Sequence, residues 1–210
     1  MKLESSSFTH GAPIPPEFAF ARPDADTRMA LSANRSPALA WSDVPDGTKS
    51  FVLICHDPEV PTVADDVNKE DRQVPFDLPR FDFFHWVLLD IAADCRAIAA
   101  GEGSEGIQPH GKPGPEAAHG RRHGSNDYTL WFAGDAAMEG TYFGYDGPCP
   151  PFNDTVIHRY IFTLYALDVA RCPVDGTADG RTVRQAIAGH ILDRAVLEGT
   201  YSLAPDARAR

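Results

Sequence analysis

Three stretches that lie far apart along the chain carry side chains that could meet at one small anion pocket. The first is Asp57-Pro58-Glu59-Val60-Pro61, and the second is His85-Trp86. The third joins Gly147-Pro148-Cys149-Pro150-Pro151 to His158-Arg159-Tyr160. Each stretch places an Asp, His or Tyr beside a rigid proline turn or at the end of an apolar run. The pattern predicts fixed hydrogen-bonding groups with little catalytic equipment, and therefore a binding site rather than a reaction site.

The two histidines and the carboxylate leave three kinds of chemistry open. The imidazoles of His85 and His158, near Asp57, could bind zinc, act as acid and base, or donate hydrogen bonds to an oxyanion. A histidine inside an apolar run is more often a satisfied core residue. An aspartate that precedes a proline more often caps its own turn. The pair therefore matters only if both rings face the same pocket.

The sequence offers few candidates for a nucleophile. It contains no Gly-rich phosphate loop and no glycine-flanked nucleophilic serine, and only Cys149 in the motifs could attack a substrate. We therefore expect no catalytic residue, no metal and no cofactor. A hydrolase or a zinc-binding protein that uses Asp57, His85 and His158 is the alternative hypothesis.

The proline-rich loop at 147–151 is a more specific signal than any single histidine. Its three prolines fix the backbone and remove three N–H donors. A plain turn needs only one or two such residues. The loop is therefore expected to shape a site.

Composition sets limits on the class of protein. The 210 residues, 43% of them hydrophobic, suffice for a single domain over 1–210 with a sizeable core. The net charge of −11 argues against nucleic acid and anionic membranes as partners. No apolar run approaches membrane-spanning length, and the N-terminus has no apolar signal core, so we expect a cytoplasmic protein without integral membrane insertion. In a reducing compartment the cysteines are expected to be free thiols: Cys55, Cys95, Cys149 and Cys172.

The 18 prolines and 17 glycines favour short strands over long helices. Apolar and β-branched runs predict four strands: 50–55, which should be buried on both faces, 83–91, 128–132 and 159–168. One helix is predicted from Thr182 to Leu197, with a capping box at Thr182 and Gln185 and a stop at Gly199. A short helix or turn is expected at 92–100. Long loops are predicted at 62–79 and 100–126.

In their order and spacing, the three stretches resemble the phosphatidylethanolamine-binding protein family, also called the Raf kinase inhibitor protein family, in its bacterial branch. The resemblance runs from near the start of the chain to Tyr201. It implies a mainly β fold, an antiparallel β-sandwich with a few short helices and a C-terminal helix. Further segments fit the family pattern: Ser36–Trp41, Val44–Thr48, Gly144–Pro148 and Tyr165–Asp168.

The resemblance also implies a ligand pocket and a set of partners. The residues that match the pocket motifs are Asp57, His85, Pro148, His158 and Tyr160. The C-terminal helix and Tyr201 are expected near the mouth. The implied ligand is a phosphate-like anion, carried by a phosphorylated small molecule, a lipid head group or a phosphoprotein. Inhibition of kinases or proteases and a homodimer also follow from the resemblance. This chain departs from the family pattern at Glu59-Val60, where Asp-Ala is more usual, and in the longer loop at 62–79.

Two neutral histidines near an anion would gain protons when it binds, because the negative charge raises their pKa. Anion affinity is therefore predicted to rise as pH falls from about 7.5 to 6.

Overall fold

Ten strands in three antiparallel sheets form most of the regular structure in the computed structural model, which describes residues 1–210. The strands are β1 Lys2–Glu4, β2 Ala21–Asp24, β3 Arg28–Leu31, β4 Leu39–Ser42, β5 Ser50–Pro61, β6 Arg80–Ala92, β7 Ala97–Ile98, β8 Arg122–His123, β9 His158–Leu167 and β10 Ile191–Tyr201. The α-helices are α1 Tyr128–Trp131 and α2 Gly180–Ile187, and single 3₁₀ turns lie at Pro16–Phe18 and Ala118–Gly120.

The largest sheet has the strand order β10-β9-β5-β6-β8, and a smaller sheet has the order β1-β4-β7. The hairpin β2-β3 forms the third sheet. The two larger sheets pack face to face through a core that includes Leu39 and Trp41 from β4, and Phe51 and Leu53 from β5. This arrangement confirms the predicted mainly β fold with few helices.

Strand β5 is buried on both faces, as its continuous apolar run predicted. Phe51 and Leu53 point into the core between the sheets. Val52 and Ile54 point to the opposite face, where they belong to a second core with Val183 of α2. Because successive side chains of a strand alternate between faces, a run without polar residues is what a sheet covered on both sides requires.

The predicted helix from Thr182 to Leu197 is right only for its first six residues, and Gly199 lies within β10 rather than ending a helix. Helix α2 spans Gly180–Ile187, and its N-cap is Asp179, whose Oδ1 accepts a hydrogen bond from the Thr182 N–H at 2.7 Å. The predicted capping box is therefore wrong. From Ile191 the chain forms β10, in which Ala195, Leu197 and Tyr201 are buried at a period of two. Pairing with β9 fixes this extended backbone.

The predicted strand at 128–132 is wrong as well, because this segment is the single-turn helix α1. The side-chain oxygen of Asn126 accepts a hydrogen bond from the Tyr128 N–H at 3.1 Å. Such local side-chain bonds offer the backbone an alternative to a sheet ladder. The turn that Asn126 begins therefore outweighs the β propensity of the aromatic residues.

The other predicted strands and the loop at 62–79 agree with the structure, whereas the predicted loop at 100–126 contains the short strand β8. Strands β6 and β9 cover the predicted segments 83–91 and 159–168 almost completely. The loop at 62–79 joins β5 to β6, and 92–100 is a turn that leads through β7. Neither α-helix has the length or hydrophobicity that crossing a membrane requires.

Gly199 in β10 provides a test of the corrected strand assignment. A Cβ atom at this position would lie 2.5 Å from Cγ1 of Ile14 and 2.9 Å from a ring carbon of Phe8. Gly199→Ala is therefore expected to lower the free energy of unfolding by about 1–3 kcal/mol, the usual cost of overpacking. Urea unfolding measures the change. The matched variant Gly189→Ala, which has open space around its Cβ position, should be nearly neutral, and equal effects at both positions would contradict the packing.

Candidate ligand-binding site

A cavity of about 470 Å³ lies where β5, β6 and β9 run side by side. Four of the predicted site residues line it together: Asp57 from β5, His85 from β6, and His158 and Tyr160 from β9. We call these four the polar floor, because they are nearly completely buried. The pairing of β5 with β6 is irregular on both sides of Asp57. Such irregularities redirect side chains, and here the carboxylate points into the cavity.

His158 lies between two carboxylates. Its Nδ1 is 2.6 Å from Oδ2 of Asp57, and its Nε2 is 3.1 Å from Oδ2 of Asp154. Arg80 in turn holds Asp154 with two hydrogen bonds of 2.5 and 3.0 Å. The result is a buried chain of alternating charge, Asp57–His158–Asp154–Arg80, which we call the charge relay chain. Only a doubly protonated ring donates to both carboxylates, so this geometry selects the imidazolium form of His158.

The pKa values of the chain follow from its geometry. Burial alone would lower the pKa of His158, but the charge of Asp57 and the hydrogen bonds to both carboxylates raise it to about 9. Burial would raise the pKa of Asp57, yet the charge of His158 and its hydrogen bond hold that pKa below its usual range. All four residues of the charge relay chain are therefore ionised at neutral pH, and their two negative and two positive charges cancel. Both nitrogens of His158 are used within the protein.

His85 is arranged differently. Its Nδ1 lies 2.7 Å from the carbonyl oxygen of Asp146 and donates to it, so the neutral ring presents the lone pair of Nε2. The ring packs edge-on against Tyr160, with centroids 5.0 Å apart, and against Tyr128. Burial lowers the pKa of His85 from its ordinary value despite the charge of Asp57. Of the two histidines in the polar floor, only His85 therefore has a ring nitrogen, Nε2, that is free to contact a ligand.

Two further groups complete the polar surface. Burial raises the pKa of the Tyr160 hydroxyl well above its ordinary value, and the charge of Asp57 adds to the shift. The hydroxyl therefore remains a hydrogen-bond donor. Desolvation also raises the pKa of the Cys149 thiol to about 12. At neutral pH this thiol is protonated, which makes it a weak nucleophile.

The proline-rich loop meets the prediction only in part. Cys149, Pro150 and Pro151 line the cavity, whereas Pro148 does not. Instead, the carbonyl of Pro148 accepts hydrogen bonds from the N–H groups of Phe20 and Ala21, at 2.9 and 3.2 Å. Pro148 therefore braces a neighbouring segment of the wall.

A buried polar centre around Asp146 positions His85, and the sequence analysis missed it. The carboxylate of Asp146 accepts hydrogen bonds from Asn34 at 2.7 Å and Asn126 at 2.8 Å, and Nζ of Lys112 lies 2.8 Å away. The N–H of Asp146 also donates to the carbonyl of His85 at 3.0 Å. These groups come from segments far apart in sequence, so no local spacing signals them. Arg80 was missed for the same reason, whereas Asp154 lies only four positions before His158 and was overlooked.

Other expected parts of the site lie elsewhere. Tyr201 and α2 do not line the cavity, and the hydroxyl of Tyr201 donates to the carbonyl of Ala21 at 2.8 Å. The loop at 62–79 contributes Ala64, Val67 and Asn68 to the cavity, and the loop at 100–126 contributes Ile107. No three His, Cys, Asp or Glu side chains are arranged to hold a metal ion.

A β-sandwich with a polar floor buried beneath a cavity formed by β5, β6 and β9 defines the class of protein, and sequence comparison identifies the family. The family model described as phosphatidylethanolamine-binding protein matches residues 4–202. The chain belongs to this family.

Several relatives show how far the likeness extends. The protein YbhB of Escherichia coli (strain K12) is 32% identical over 203 residues, which cover 96% of this chain and 100% of YbhB. A relative from Chlamydia pneumoniae is 29% identical, with coverage of 96% and 98%. These relatives are bacterial, which confirms the predicted likeness to the bacterial branch.

Solved structures agree on the fold. The crystal structure of E. coli YbcL, described as a new member of the mammalian PEBP family, superposes with a TM-score of 0.68 at 24% identity. It covers 96% of this chain and 97% of YbcL. CT736 of Chlamydia trachomatis, described as a putative PEBP homolog, has a TM-score of 0.61 at 27% identity, with 96% of each chain covered.

Removing His158 should be costly for folding. His158→Ala leaves the buried carboxylates of Asp57 and Asp154 without their shared partner, so we expect a loss of about 3–5 kcal/mol in the free energy of unfolding. Chemical denaturation measures it. The matched variant His190→Ala removes an exposed pair with Asp168, and should cost less than about 1 kcal/mol. A similarly small loss for His158→Ala would contradict a buried ion pair.

The charge relay chain also predicts how stability depends on pH. The pKa of His158 is raised from 6.5 to about 9. Its stabilisation is therefore complete below 6.5 and is lost as pH rises through 9. The free energy of unfolding should fall between pH 7 and about 9.5, and less steeply in His158→Gln. Urea unfolding at several pH values measures both slopes, and parallel curves would show that His158 does not carry the effect.

Proposed function

We propose that this protein binds a small ligand through a phosphoryl or similar anionic head and does not turn it over. The head occupies the polar floor, where it faces Nε2 of His85 and the hydroxyl of Tyr160. The observation that carries the proposal is the open nitrogen of His85 in a cavity where Asp57 and His158 are paired with each other. The proposal thus adds a specific type of ligand to the family assignment.

The charge balance of the floor supports an anion that binds together with a proton. The charge relay chain is neutral as a whole, so it neither attracts nor repels an anion strongly. His85 is neutral and presents a lone pair, which a fully ionised phosphate cannot use. One proton, either on His85 or on the phosphoryl group, provides the missing hydrogen bond. Because the second pKa of a phosphoryl group is about 6, this proton is available near neutral pH.

The same contacts weigh against the hydrolase and zinc alternatives. A general base or a zinc ligand needs a free nitrogen lone pair. His158 has none, since both of its nitrogens face carboxylates. The protonated thiol of Cys149 is a poor nucleophile. Asp57, His85 and His158 thus do not form a set that would activate water or hold a metal.

Calorimetric titration with inorganic phosphate tests the proposal. We expect saturable binding that is up to about tenfold tighter per unit fall in pH between 7.5 and 6, as uptake of one proton requires. His85→Ala should weaken binding at least tenfold at pH 6, whereas the exposed His190→Ala should not change it.

Sulfate, which does not titrate in this range, distinguishes the two positions of the proton. Affinity for sulfate that also rises at low pH places the proton on His85. Phosphate affinity that is independent of pH, or unaffected by His85→Ala, would contradict the proposal.

A further inference from the structure

Above the polar floor, the cavity is almost entirely apolar. Sixteen of its twenty-three lining residues are hydrophobic, and among the others only Asp57, His85 and His158 are ionisable. Both oxygens of Asp57 are occupied, since Oδ1 accepts from the N–H of Glu59 at 2.8 Å and Oδ2 faces His158. The cavity therefore offers no free carboxylate to an ammonium group next to the ligand's head.

One side of the cavity is an aromatic surface. Phe20 and Tyr128 stack with ring centroids 4.9 Å apart, and Phe83 meets Tyr128 edge to face at 5.4 Å. At the rim, Leu31 and Trp131 line the cavity although they are 65% and 48% exposed. Exposed apolar side chains around a cavity mark a surface that a ligand covers. Together with Val67 these residues form what we call the apolar wall: Phe20, Leu31, Val67, Phe83, Tyr128 and Trp131.

Asn153 fastens the loop that supplies one part of this wall. Its Nδ2 donates to the carbonyls of Asp66, Lys69 and Arg72 at 2.8–3.0 Å. Its Oδ1 accepts from the N–H of Asn68 at 3.0 Å. One side chain thus holds a full turn of backbone, and Val67 lies within that turn. The next residue, Asp154, belongs to the charge relay chain and contacts His158. Neighbouring residues therefore hold the loop of the wall and a histidine of the floor.

We infer that the ligand is a phosphoric monoester with an apolar, preferably aromatic body, and that Asn153 is a positioning residue for the wall that selects it. This inference rests on the proposed function, because the phosphoryl head must occupy the floor for the body to lie against the wall. A zwitterionic head such as phosphorylethanolamine finds no free carboxylate there, so its ammonium gains at most a contact with the aromatic rings while it loses water. An aryl group buries apolar surface at the same place.

Calorimetric titration of the full chain at pH 6 with inorganic phosphate, O-phosphorylethanolamine and phenyl phosphate tests the inference. We expect phenyl phosphate to bind at least tenfold more tightly than O-phosphorylethanolamine. If phosphate binds but phenyl phosphate is no tighter than O-phosphorylethanolamine, the inferred ligand class is wrong. If none of the three binds, the proposed function itself fails, and the two failures are thereby distinguished.

Variants test the wall separately from the floor. Leu31→Ser changes an exposed side chain, so it should fold normally and weaken phenyl phosphate at least threefold while phosphate changes less than twofold. Leu192→Ser, which alters an exposed leucine that does not line the cavity, should change neither. Asn153→Ala should reduce the preference for phenyl phosphate over phosphate, an effect that general destabilisation would not produce. Equal losses for both ligands in Leu31→Ser and Asn153→Ala would overturn the role of the wall.

Discussion

The candidate site depends on the protonated ring of His158, held between two buried carboxylates. Burying two aspartates is costly unless each is paired, and His158 and Arg80 together neutralise both. The charge relay chain, Asp57–His158–Asp154–Arg80, connects β5, β6 and β9 with the segment that follows the proline-rich loop. It therefore fixes the strands that form the cavity while adding no net charge. A neutral, rigid floor is a suitable base for an anion site in a chain whose overall charge is −11.

This arrangement assigns different tasks to the two histidines that the sequence presents as a pair. His158 is structural, since its nitrogens are spent on Asp57 and Asp154. His85 is functional in the proposed binding, because the carbonyl of Asp146 fixes its tautomer and leaves Nε2 toward the cavity. The sequence suggested that both rings would gain a proton when an anion binds, whereas the structure leaves one proton to be gained, on His85 or on the anion facing it. The apolar wall then adds selectivity that the floor cannot provide.

Much of the site could be predicted because its residues stand in local patterns. Asp57, His85, His158 and Tyr160 lie in or beside strong strand signals, and a family resemblance joined them. Arg80 could not be found in this way, since its ion pair with Asp154 spans 74 positions, although Asp154 itself lies only four positions from His158. Local spacing also failed at 191–201, where apolar residues fit both a helix and a strand, and pairing with β9 decided the outcome. The limits of the prediction are thus the long-range contacts.

The protonation states of the histidine rings test this account most directly. Long-range ¹H–¹⁵N correlation spectra at pH 7, recorded with and without saturating phosphate, report the proton on each ring nitrogen. The account predicts that His158 is doubly protonated in both samples. It predicts that free His85 is a neutral ring with its proton on Nδ1, and that phosphate shifts its Nε2 resonance through a new hydrogen bond. A neutral His158, or a His85 ring whose signals do not respond to phosphate, would contradict the account.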